Sequence, residues 1–228
     1  MTTEVTWLGH ASFEITTESH TILLDPFVTD NPSATVTAAE LTADYILLTH
    51  AHFDHVADAA EIANRTSATL IAPVETATWF EQTQAVENTI GLNLGGGIQL
   101  PFGHVRMTIA HHSSSLPDGS YGGNPGGYIL TLPAGKIYFA GDTALFMDME
   151  LIGRQGIDLA VIPIGDHFTM GPQDAVEAVK MIQPRRVIPS HYNTWPPIAQ
   201  DATQWGEQVS RETDAQPILL EVGETVPL

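Results

Sequence analysis

The segment Leu47–His55, with the sequence LLTHAHFDH, concentrates three histidines and one aspartate. His50, His52, Asp54 and His55 stand within six consecutive positions, directly after an apolar run. Imidazole and carboxylate groups this close together are costly to bury unless a partner satisfies them, and a divalent cation would do so. Alternate residues of an extended segment face the same side, so His50 and His52 can reach one ion. The turn that follows can direct Asp54 and His55 towards a second ion, so the pattern predicts a metal site rather than a solvated histidine-rich loop.

The composition limits what could hold such a metal and what the protein could bind. The chain has 228 residues and no cysteine, so disulfides, thiolate ligands and a cysteine nucleophile are excluded. Its 27 acidic and 8 basic side chains give a formal net charge of −19, and so few bases provide no surface for nucleic acid or an anionic membrane. A hydrophobic content of 43% excludes a disordered acidic chain. We predict one domain over residues 1–228.

The sequence also indicates where the protein acts and on what kind of partner. No apolar run approaches the roughly 18 to 20 residues of a membrane span, and the N-terminus lacks the features of a signal peptide. We therefore expect a cytoplasmic protein that acts on a small-molecule substrate. The oligomeric state stays open, and a homo-oligomer is compatible with the sequence.

Short apolar runs rich in β-branched residues recur between Gly, Pro, Asn and Asp, and they predict ten strands. The predicted strands are Val5–Leu8, Ser12–Thr16, Thr21–Leu24, Tyr45–Thr49, Val105–Ala110, Tyr128–Leu132, Lys136–Ala140, Leu159–Ile164, Val187–Ser190 and Pro217–Val222. Helical periodicity predicts five helices, which are Val56–Arg65, Val74–Thr83, Leu145–Arg154, Pro172–Gln183 and Asp201–Glu212. Strands open the chain, and strands and helices then mix in both halves. This order favours two packed sheets with helices outside.

Two further motifs point to other chemistry, and both are weak. The glycine-rich stretch Asp118–Gly127 leads into a predicted strand, so it lacks the helix N-terminus that a phosphate cradle uses. We expect it to form a mobile loop at the rim of a site. The three serines Ser113–Ser115 lack the G-x-S-x-G turn of serine hydrolases.

The segment HAHFDH matches every fixed position of the motif HxHxDH, and other segments extend the same likeness. They are WLGHASF (Trp7–Phe13), ILLDPF (Ile22–Phe27), HSSS (His112–Ser115), GGNPGGY (Gly122–Tyr128), AGDT (Ala140–Thr143), PIGDHFTMGP (Pro163–Pro172) and IPSHYNTWP (Ile188–Pro196). With these segments the sequence resembles the metallo-β-lactamase-fold hydrolases, above all a group of metal-dependent hydrolases related to L-ascorbate-6-phosphate lactonase. The resemblance implies an α/β fold, a four-layer αββα sandwich.

The resemblance also implies a site for two divalent metal ions with seven protein ligands. These are His50, His52 and His112 for the first metal, Asp54, His55 and His191 for the second, and Asp142 as the bridge. Zinc is the favoured ion, with Mn²⁺, Ni²⁺ and Fe²⁺ as alternatives, because imidazole and carboxylate suit all of them. Strand alternation places His111 on one face with Val105, Met107 and Ile109 and places His112 on the other face, and it disagrees with the family motif about which is the ligand. The family motif selects His112, and we expect the strand to end before this pair.

Three other residues stand near the expected ligands in the sequence. Asp25 follows an apolar run, and we expect it to accept the free N–H of a ligating histidine; the alternative is a simple Asp-Pro turn. His10 lies similarly after a predicted strand and would contact a ligand or the substrate. His167 follows the predicted strand Leu159–Ile164, and we expect it to donate a hydrogen bond or shuttle a proton to the substrate. The alternative is a loop histidine bonded to Asp166.

Such a site implies hydrolysis by a metal-bound hydroxide, because two adjacent cations lower the pKa of a bridging water from about 15.7 towards ~7. Asp54 would serve both as a ligand and as the group that orients this water or accepts its proton. We expect a small ester, lactone or phosphoester as substrate. Two alternatives remain, an iron-dependent oxidoreductase of the same fold and a non-catalytic metal-dependent binding protein.

The loops that carry these motifs contain large apolar side chains and no lysine or arginine. They are Phe53, Phe146, Phe168, Met170, Tyr192 and Trp195. Such residues suggest a partly apolar pocket wall, although aromatic residues in strand-end loops also serve as ordinary core. The pattern favours a neutral or mildly anionic substrate.

Overall fold

The computed structural model describes residues 2–228 and contains two seven-stranded β-sheets. The first sheet consists of β1 (Glu4–Gly9), β2 (Ser12–Thr16), β3 (Thr21–Leu24), β4 (Tyr45–Leu47), β5 (Thr69–Pro73), β6 (Thr89–Leu92) and β14 (Thr225–Pro227). The second consists of β7 (Gly97–Leu100), β8 (Gly103–Ile109), β9 (Gly126–Leu132), β10 (Gly135–Phe139), β11 (Leu159–Pro163), β12 (Arg186–Ser190) and β13 (Gln216–Pro217). Their spatial orders are β14-β1-β2-β3-β4-β5-β6 and β13-β12-β11-β10-β9-β8-β7.

The helices connect the strands and cover the outer faces of the sheets. They are α1 (Phe53–Val56), α2 (Ala59–Thr66), α3 (Val74–Thr83), α4 (Met149–Gly153), α5 (Pro172–Ile182) and α6 (Ala202–Glu212), with a 3-10 turn at Pro196–Ile198. Pro172 occupies the first turn of α5, where a missing N–H costs nothing. Asp201 caps α6 by accepting a hydrogen bond of 2.9 Å from the Gln204 backbone N–H. Over residues 2–228, no helix has the length and apolar character that crossing a membrane requires.

The side chains of β3 show how the first sheet separates two cores. Ile22 and Leu24 belong to the core between the sheets, whereas Leu23 packs under the helices with Ile62 of α2 and Phe80 of α3. This alternation follows from the two-residue period of a strand. Helices α5 and α6 belong to the other core, on the side of the second sheet. The predicted αββα sandwich is therefore confirmed.

Strand directions bring the functional loops to one edge of the sandwich. In the first sheet, β1 and β3 are both antiparallel to β2, and β3 is parallel to β4. In the second sheet, β10, β11 and β12 are parallel, while β8 and β10 are both antiparallel to β9. The carboxyl ends of β1, β3, β4, β8, β10 and β12 lie close together, because the loops that follow these strands meet at one cluster of side chains.

Several predicted elements differ from the observed ones. The predicted strand Pro217–Val222 is wrong, since pairing with β12 ends at Pro217 and the chain then crosses to the first sheet, where Gly223 donates to the Trp7 carbonyl at 2.7 Å. The predicted helix Val56–Arg65 is two helices, α1 and α2. They separate at Asp58, whose carboxylate turns back to accept hydrogen bonds from the N–H groups of Val28 and Thr29 at 2.6 and 2.9 Å.

Other differences concern short or interrupted elements. The predicted helix Leu145–Arg154 is only the five-residue α4, because the chain first turns at Phe146, whose carbonyl accepts the Met149 N–H at 3.3 Å. Strands β5, β6, β7 and β14 are absent from the prediction. Three of them are four residues or shorter, and each contains glycine or proline, which hides the strand pattern.

Candidate metal centre

The segment HAHFDH leaves β4 at the edge of the first sheet and turns at once into α1. His50 and His55 are fully buried, and His50 Nε2 lies 2.9 Å from His52 Nδ1. Phe53 begins the single turn of α1, in which the His55 N–H donates to the His52 carbonyl at 3.0 Å. This turn reverses the chain direction and aims Asp54 and His55 at the cluster, as the spacing predicts.

Asp142 stands at the centre of the cluster, in the loop after β10. Its Oδ2 atom lies close to the Nε2 atoms of four histidines that come from three different loops. The distances are 3.1 Å to His191, 3.4 Å to His55, 3.6 Å to His112 and 4.0 Å to His50. One carboxylate oxygen is thus shared among imidazoles that the chain brings together from both sheets.

The ligand atoms form three overlapping groups, each with all of its atoms within 4.8 Å of one another. The groups are His50, His52 and His112; His50, His55 and Asp142; and His10, Asp54, His55 and His191. The first and last groups correspond to the two metal positions that the sequence analysis expects, and the middle group connects them. His10 is the one addition to the expected set.

The structure distinguishes between His111 and His112. His112 turns into the cluster, with its ring 5.1 Å from the rings of both His50 and His52. His111 is exposed and packs on Phe146, with ring centroids 5.1 Å apart. The strand β8 ends at Ile109, so alternation no longer applies to this pair.

Two orphaned polar atoms show that the cluster suits a cation. His55 Nε2 and Asp142 Oδ1 are fully buried, and neither has a hydrogen-bond partner among the described residues. Buried polar atoms are normally satisfied, so an atom left over needs another partner. Imidazole nitrogen and carboxylate oxygen are the atoms that bind Zn²⁺, Mn²⁺ and Fe²⁺ in proteins. The residues therefore fit divalent metal ions.

Asp25 lies behind the cluster, completely buried after β3. Its carboxylate accepts hydrogen bonds from the Thr49 backbone N–H at 2.7 Å, from the Thr49 hydroxyl at 2.6 Å and from His55 Nδ1 at 2.8 Å. The bond to Nδ1 keeps the proton on that nitrogen and leaves His55 Nε2 facing the cluster. Asp25 thus lies where the sequence analysis expects it, against an expected ligand.

The protonation of this cluster follows from burial and from its carboxylates. Burial disfavours a charged His191, but the charge of Asp142 and hydrogen bonds to Asp142 and Asp54 outweigh it and raise its pKa to about 9. Burial likewise disfavours a charged His55, yet Asp142 and Asp25 hold its pKa well above the usual value. Burial also opposes ionisation of Asp142, but the neighbouring His191 and His55 hold its pKa well below the usual range. Without metal, the cluster therefore holds protons where cations would bind.

His10 contacts the cluster through Asp54. Burial and the neighbouring His191 lower the pKa of His10 to about 4, so its ring is neutral at pH 7. The Asp54 carboxylate is ionised: burial opposes ionisation, but hydrogen bonds from His10 and His191 lower its pKa. His10 Nε2 must then donate to Asp54 Oδ2, 3.1 Å away, and His10 Nδ1 accepts from the Thr194 hydroxyl at 2.8 Å. Both ring nitrogens are engaged, so His10 orients Asp54.

His167 lies apart from the other expected site residues. Its side chain is exposed, and its ring packs edge-on against Phe168 with centroids 4.4 Å apart. It is not among the residues that line the cavity over the cluster, whereas Phe168 is. The side chain that faces the cavity is therefore that of Phe168, one position after the predicted His167.

A cavity of about 640 Å³ opens directly over the cluster. Phe53, Phe168 and Trp195 line it, as the loop composition suggests. Phe146, Met170 and Tyr192 do not line it, and all three are buried in the core. Leu116, Pro117 and Pro197 also line the cavity, and no motif in the sequence indicates them.

The glycine-rich stretch Asp118–Gly127 packs against the loop that follows β4. The Gly126 N–H donates to the Thr49 carbonyl at 3.0 Å, and a Cβ atom at Gly122 would lie 2.5 Å from the Ala51 side chain. The stretch therefore supports the expected ligands from behind.

Three residues of the cluster adopt the left-handed backbone conformation that favours glycine. They are His10, Asp25 and His191, with φ angles of 55°, 44° and 53°. Each follows the end of a strand, so the chain turns sharply at the sheet edge and points a side chain into the cluster. Non-glycine residues in this conformation are uncommon and gather at functional sites.

The chain is similar to known proteins over nearly its whole length. A family model described as a β-lactamase superfamily domain matches residues 20–192. A UPF0173 metal-dependent hydrolase of Thermus thermophilus is 44% identical over 225 residues, which cover 99% of each chain. A UPF0173 metal-dependent hydrolase of Thermococcus onnurineus is 47% identical over 228 residues, again 99% of each chain.

A solved structure shows the same fold throughout. A metallo hydrolase from the hyperthermophilic archaeon Ignicoccus hospitalis is similar with a TM-score of 0.89 at 35% identity, over 100% of this chain and 99% of that one. The matches cover both the strands and the loops of the cluster. The chain therefore belongs to the metallo-β-lactamase superfamily and is a metal-dependent hydrolase.

Proposed function

We propose that the protein hydrolyses a small ester, lactone or phosphoester at a site for two divalent metal ions. The proposed ligands are His50, His52 and His112 for one ion, Asp54, His55 and His191 for the other, and Asp142 between them. The observation that carries the proposal is the position of Asp142 Oδ2, which lies 3.1 to 4.0 Å from imidazole nitrogens of both groups. A carboxylate shared in this way suits two adjacent cations.

When bound, two cations would supply a hydroxide nucleophile at neutral pH and would polarise the oxygen of the bond to be cleaved. The chain itself contributes the position of the groups around them. Asp54 lines the cavity in its ionised form, so it can orient the attacking water and accept its proton. His10 and Thr194 hold Asp54 in that orientation through the hydrogen bonds described above.

We assign no proton transfer to His167, because its side chain lies outside the cavity. It remains a candidate for contact with substrate atoms that extend past Phe168. Asp25 acts through His55, whose ring it keeps protonated at Nδ1.

The proposal is tested by metal analysis and a substrate screen on one preparation. The purified protein should contain two divalent ions per chain, with zinc expected first. A chelator should abolish turnover of esters or lactones, and added Zn²⁺ or Mn²⁺ should restore it. Full turnover by the metal-stripped protein would overturn the proposal, and so would a metal-loaded protein that cleaves no ester, lactone or phosphoester.

Metal affinity should rise with pH, because the cations must displace protons from the cluster. His191 has a pKa of about 9 in the metal-free chain, so it is protonated at neutral pH, and a ligating imidazole must be neutral. His55 is also protonated there, since Asp142 and Asp25 hold its pKa well above the usual value. Losing these protons should strengthen binding by at least about tenfold per pH unit between pH 6 and 8. Competition with a chromophoric chelator at pH 6, 7 and 8, corrected for the protonation of the chelator, measures the slope.

The control for this measurement is His20→Gln, a substitution of a histidine remote from the cluster. It should leave the slope unchanged, since the His20 imidazole hydrogen-bonds to the Ser19 hydroxyl and belongs to none of the three ligand groups. Proton release, obtained from calorimetry in buffers of different ionisation heat, should equal the slope. A flat affinity between pH 6 and 8 would contradict the prediction.

A further inference from the structure

The cavity over the cluster has a polar floor and apolar walls. Five of the proposed ligands form the floor, namely His52, Asp54, His112, Asp142 and His191. The apolar wall residues are Phe53, Leu116, Pro117, Phe168, Trp195 and Pro197, and Ser113 and Ser115 also line the cavity. Pockets of a few hundred cubic ångströms with apolar walls and a few convergent polar groups are typical of small-molecule sites. The wall residues do not bind metal in the proposed site, so their chemistry reports on the substrate.

Two phenylalanines reach the cavity from opposite sides of the sandwich. Phe53 follows a strand of the first sheet and is 59% exposed, and Phe168 follows a strand of the second sheet and is 53% exposed. Both side chains leave large apolar surfaces in water at the mouth of one cavity. Exposed apolar surface gathered in this way marks a binding site rather than a core.

The aromatic wall on the Phe53 side is a packed structure. Buried Phe27 contacts Phe53 and Trp195 with ring centroids 5.8 and 6.0 Å apart, and Phe53 lies 6.1 Å from Trp195. Trp195 in turn packs on His10 at 5.0 Å. The wall therefore extends from the core to the rim, and its rings are held in place before a substrate enters.

The charge of the cavity argues against an anionic substrate. None of the eight basic side chains of the protein lines it, and its carboxylates are Asp54 and Asp142. Proteins recognise a phosphate group with arginine or lysine donors, and this cavity has neither. A phosphomonoester would meet apolar walls and no cation beyond the metals.

We propose that the substrates are uncharged esters or lactones with an apolar alkyl or aryl group that lies between Phe53 and Phe168 and against Trp195. This inference rests on the proposed function and narrows its substrate class. The ester or lactone group would face the cluster, and the apolar group would cover the phenylalanine surfaces now exposed to water.

The test uses the metal-loaded protein and two series of uncharged substrates. Methyl esters of straight-chain acids from acetate to decanoate, and γ-lactones with alkyl groups of increasing length, are followed by proton release. The value of kcat/KM should rise by about fourfold for each methylene until the cavity is filled, because a buried methylene favours binding by that factor. Phe53→Ala and Phe168→Ala should flatten this rise.

The controls are Met147→Ala and Leu151→Ala, which remove apolar side chains of similar exposure away from the cavity. Met147 and Leu151 are 68% and 51% exposed, and neither lines the cavity. These variants should keep the chain-length dependence. All four substituted residues are exposed, so each variant should fold, and thermal unfolding of the four proteins checks this.

A second measurement does not depend on turnover. The metal-free protein should bind octanamide more tightly than acetamide, as measured by calorimetry, and Phe168→Ala should weaken octanamide binding by about tenfold or more. Acetate and decanoate esters cleaved equally well by protein and variants would overturn the substrate class and leave the proposed function standing. A preference for methyl phosphate over methyl esters would also overturn it. A third outcome is octanamide binding that depends on Phe168 together with no cleavage of any ester, lactone or phosphoester. That outcome would overturn the proposed function but would support an apolar binding site in the cavity.

Discussion

Replacing Asp142 by alanine should lower kcat/KM for the best ester or lactone by at least about a thousandfold. Asp142 Oδ2 lies within 4.0 Å of the Nε2 atoms of His50, His112 and His191. Without it, two groups of imidazoles would have to hold two cations with no anion between them. We therefore expect the variant to bind less than one equivalent of metal at micromolar concentration.

His52→Ala provides a comparison within the same site. His52 belongs only to the group with His50 and His112, so its loss should remove one metal equivalent and leave the second. The matched control is Asp174→Ala, which removes an exposed carboxylate from the first turn of α5. It should retain both metals and full turnover. Wild-type activity in Asp142→Ala, with an intact fold by thermal unfolding, would contradict the proposed site.

Replacing Asp25 by alanine should lower the free energy of unfolding by about 3 kcal/mol. The substitution would remove the acceptor of three buried donors, namely the N–H and hydroxyl of Thr49 and Nδ1 of His55. Of these, the hydroxyl keeps a second partner in His50 Nδ1 at 3.0 Å. The freed ring of His55 should also weaken metal binding by about ten- to a hundredfold, the usual cost of losing a group that orients a ligand. Urea unfolding of the metal-free proteins measures the first effect, and chelator competition the second.

Asp44→Ala is the matched control for that substitution. Asp44 is exposed, and its carboxylate accepts a hydrogen bond of 2.8 Å from the Thr21 N–H. Its loss should lower the free energy of unfolding by no more than about 1 kcal/mol and should not change metal binding. If Asp25→Ala proved no less stable than Asp44→Ala, the hydrogen bonds of Asp25 would contribute nothing beyond those of a surface carboxylate.

The fold is predictable from sequence where strands are regular and end in chemically distinctive loops. The strands Ser12–Thr16 and Thr21–Leu24 and the helix Val74–Thr83 match the observed elements residue for residue. Apolar side chains at fixed period determine such elements locally. The predicted strand Pro217–Val222 is wrong for a reason that local sequence cannot show. After Pro217 the chain must leave the second sheet so that β14 can pair with β1 in the first.

The site shows the same division between local and distant causes. The expected ligands follow strand ends, so the sequence indicates them without knowledge of the packing. The contact between His10 and Thr194 could not be predicted in this way. Thr194 lies 184 positions away in the sequence, and only the fold brings the two side chains together. The hydroxyl stands in the segment IPSHYNTWP, three residues after His191, and that position is the one clue to it in the sequence.

The alternation of side chains along strand β8 does not extend to His111 and His112, and the backbone hydrogen bonds show why. The His111 N–H donates to the Thr143 hydroxyl at 2.9 Å, and its carbonyl accepts from the Ala144 N–H at 3.1 Å. These bonds join the chain to the loop that carries Asp142 and end the strand geometry one residue before His112. A strand rule therefore applies only as far as the hydrogen-bonded ladder extends.

The left-handed backbone at His10, Asp25 and His191 lowers the stability of the protein, but the side chains at these positions serve the site. Such a backbone costs about 1–3 kcal/mol at a non-glycine residue, and Pro26 further restricts Asp25 before it. Glycine at His10, Asp25 or His191 would relieve this cost but would remove an imidazole or a carboxylate. Selection for heat resistance alone should thus favour replacement of His10 and His191, whereas the hydrogen bonds of Asp25 outweigh its backbone cost; selection for turnover keeps all three residues. Engineering of this enzyme for higher temperatures should leave these three positions unchanged and seek stability elsewhere in the chain.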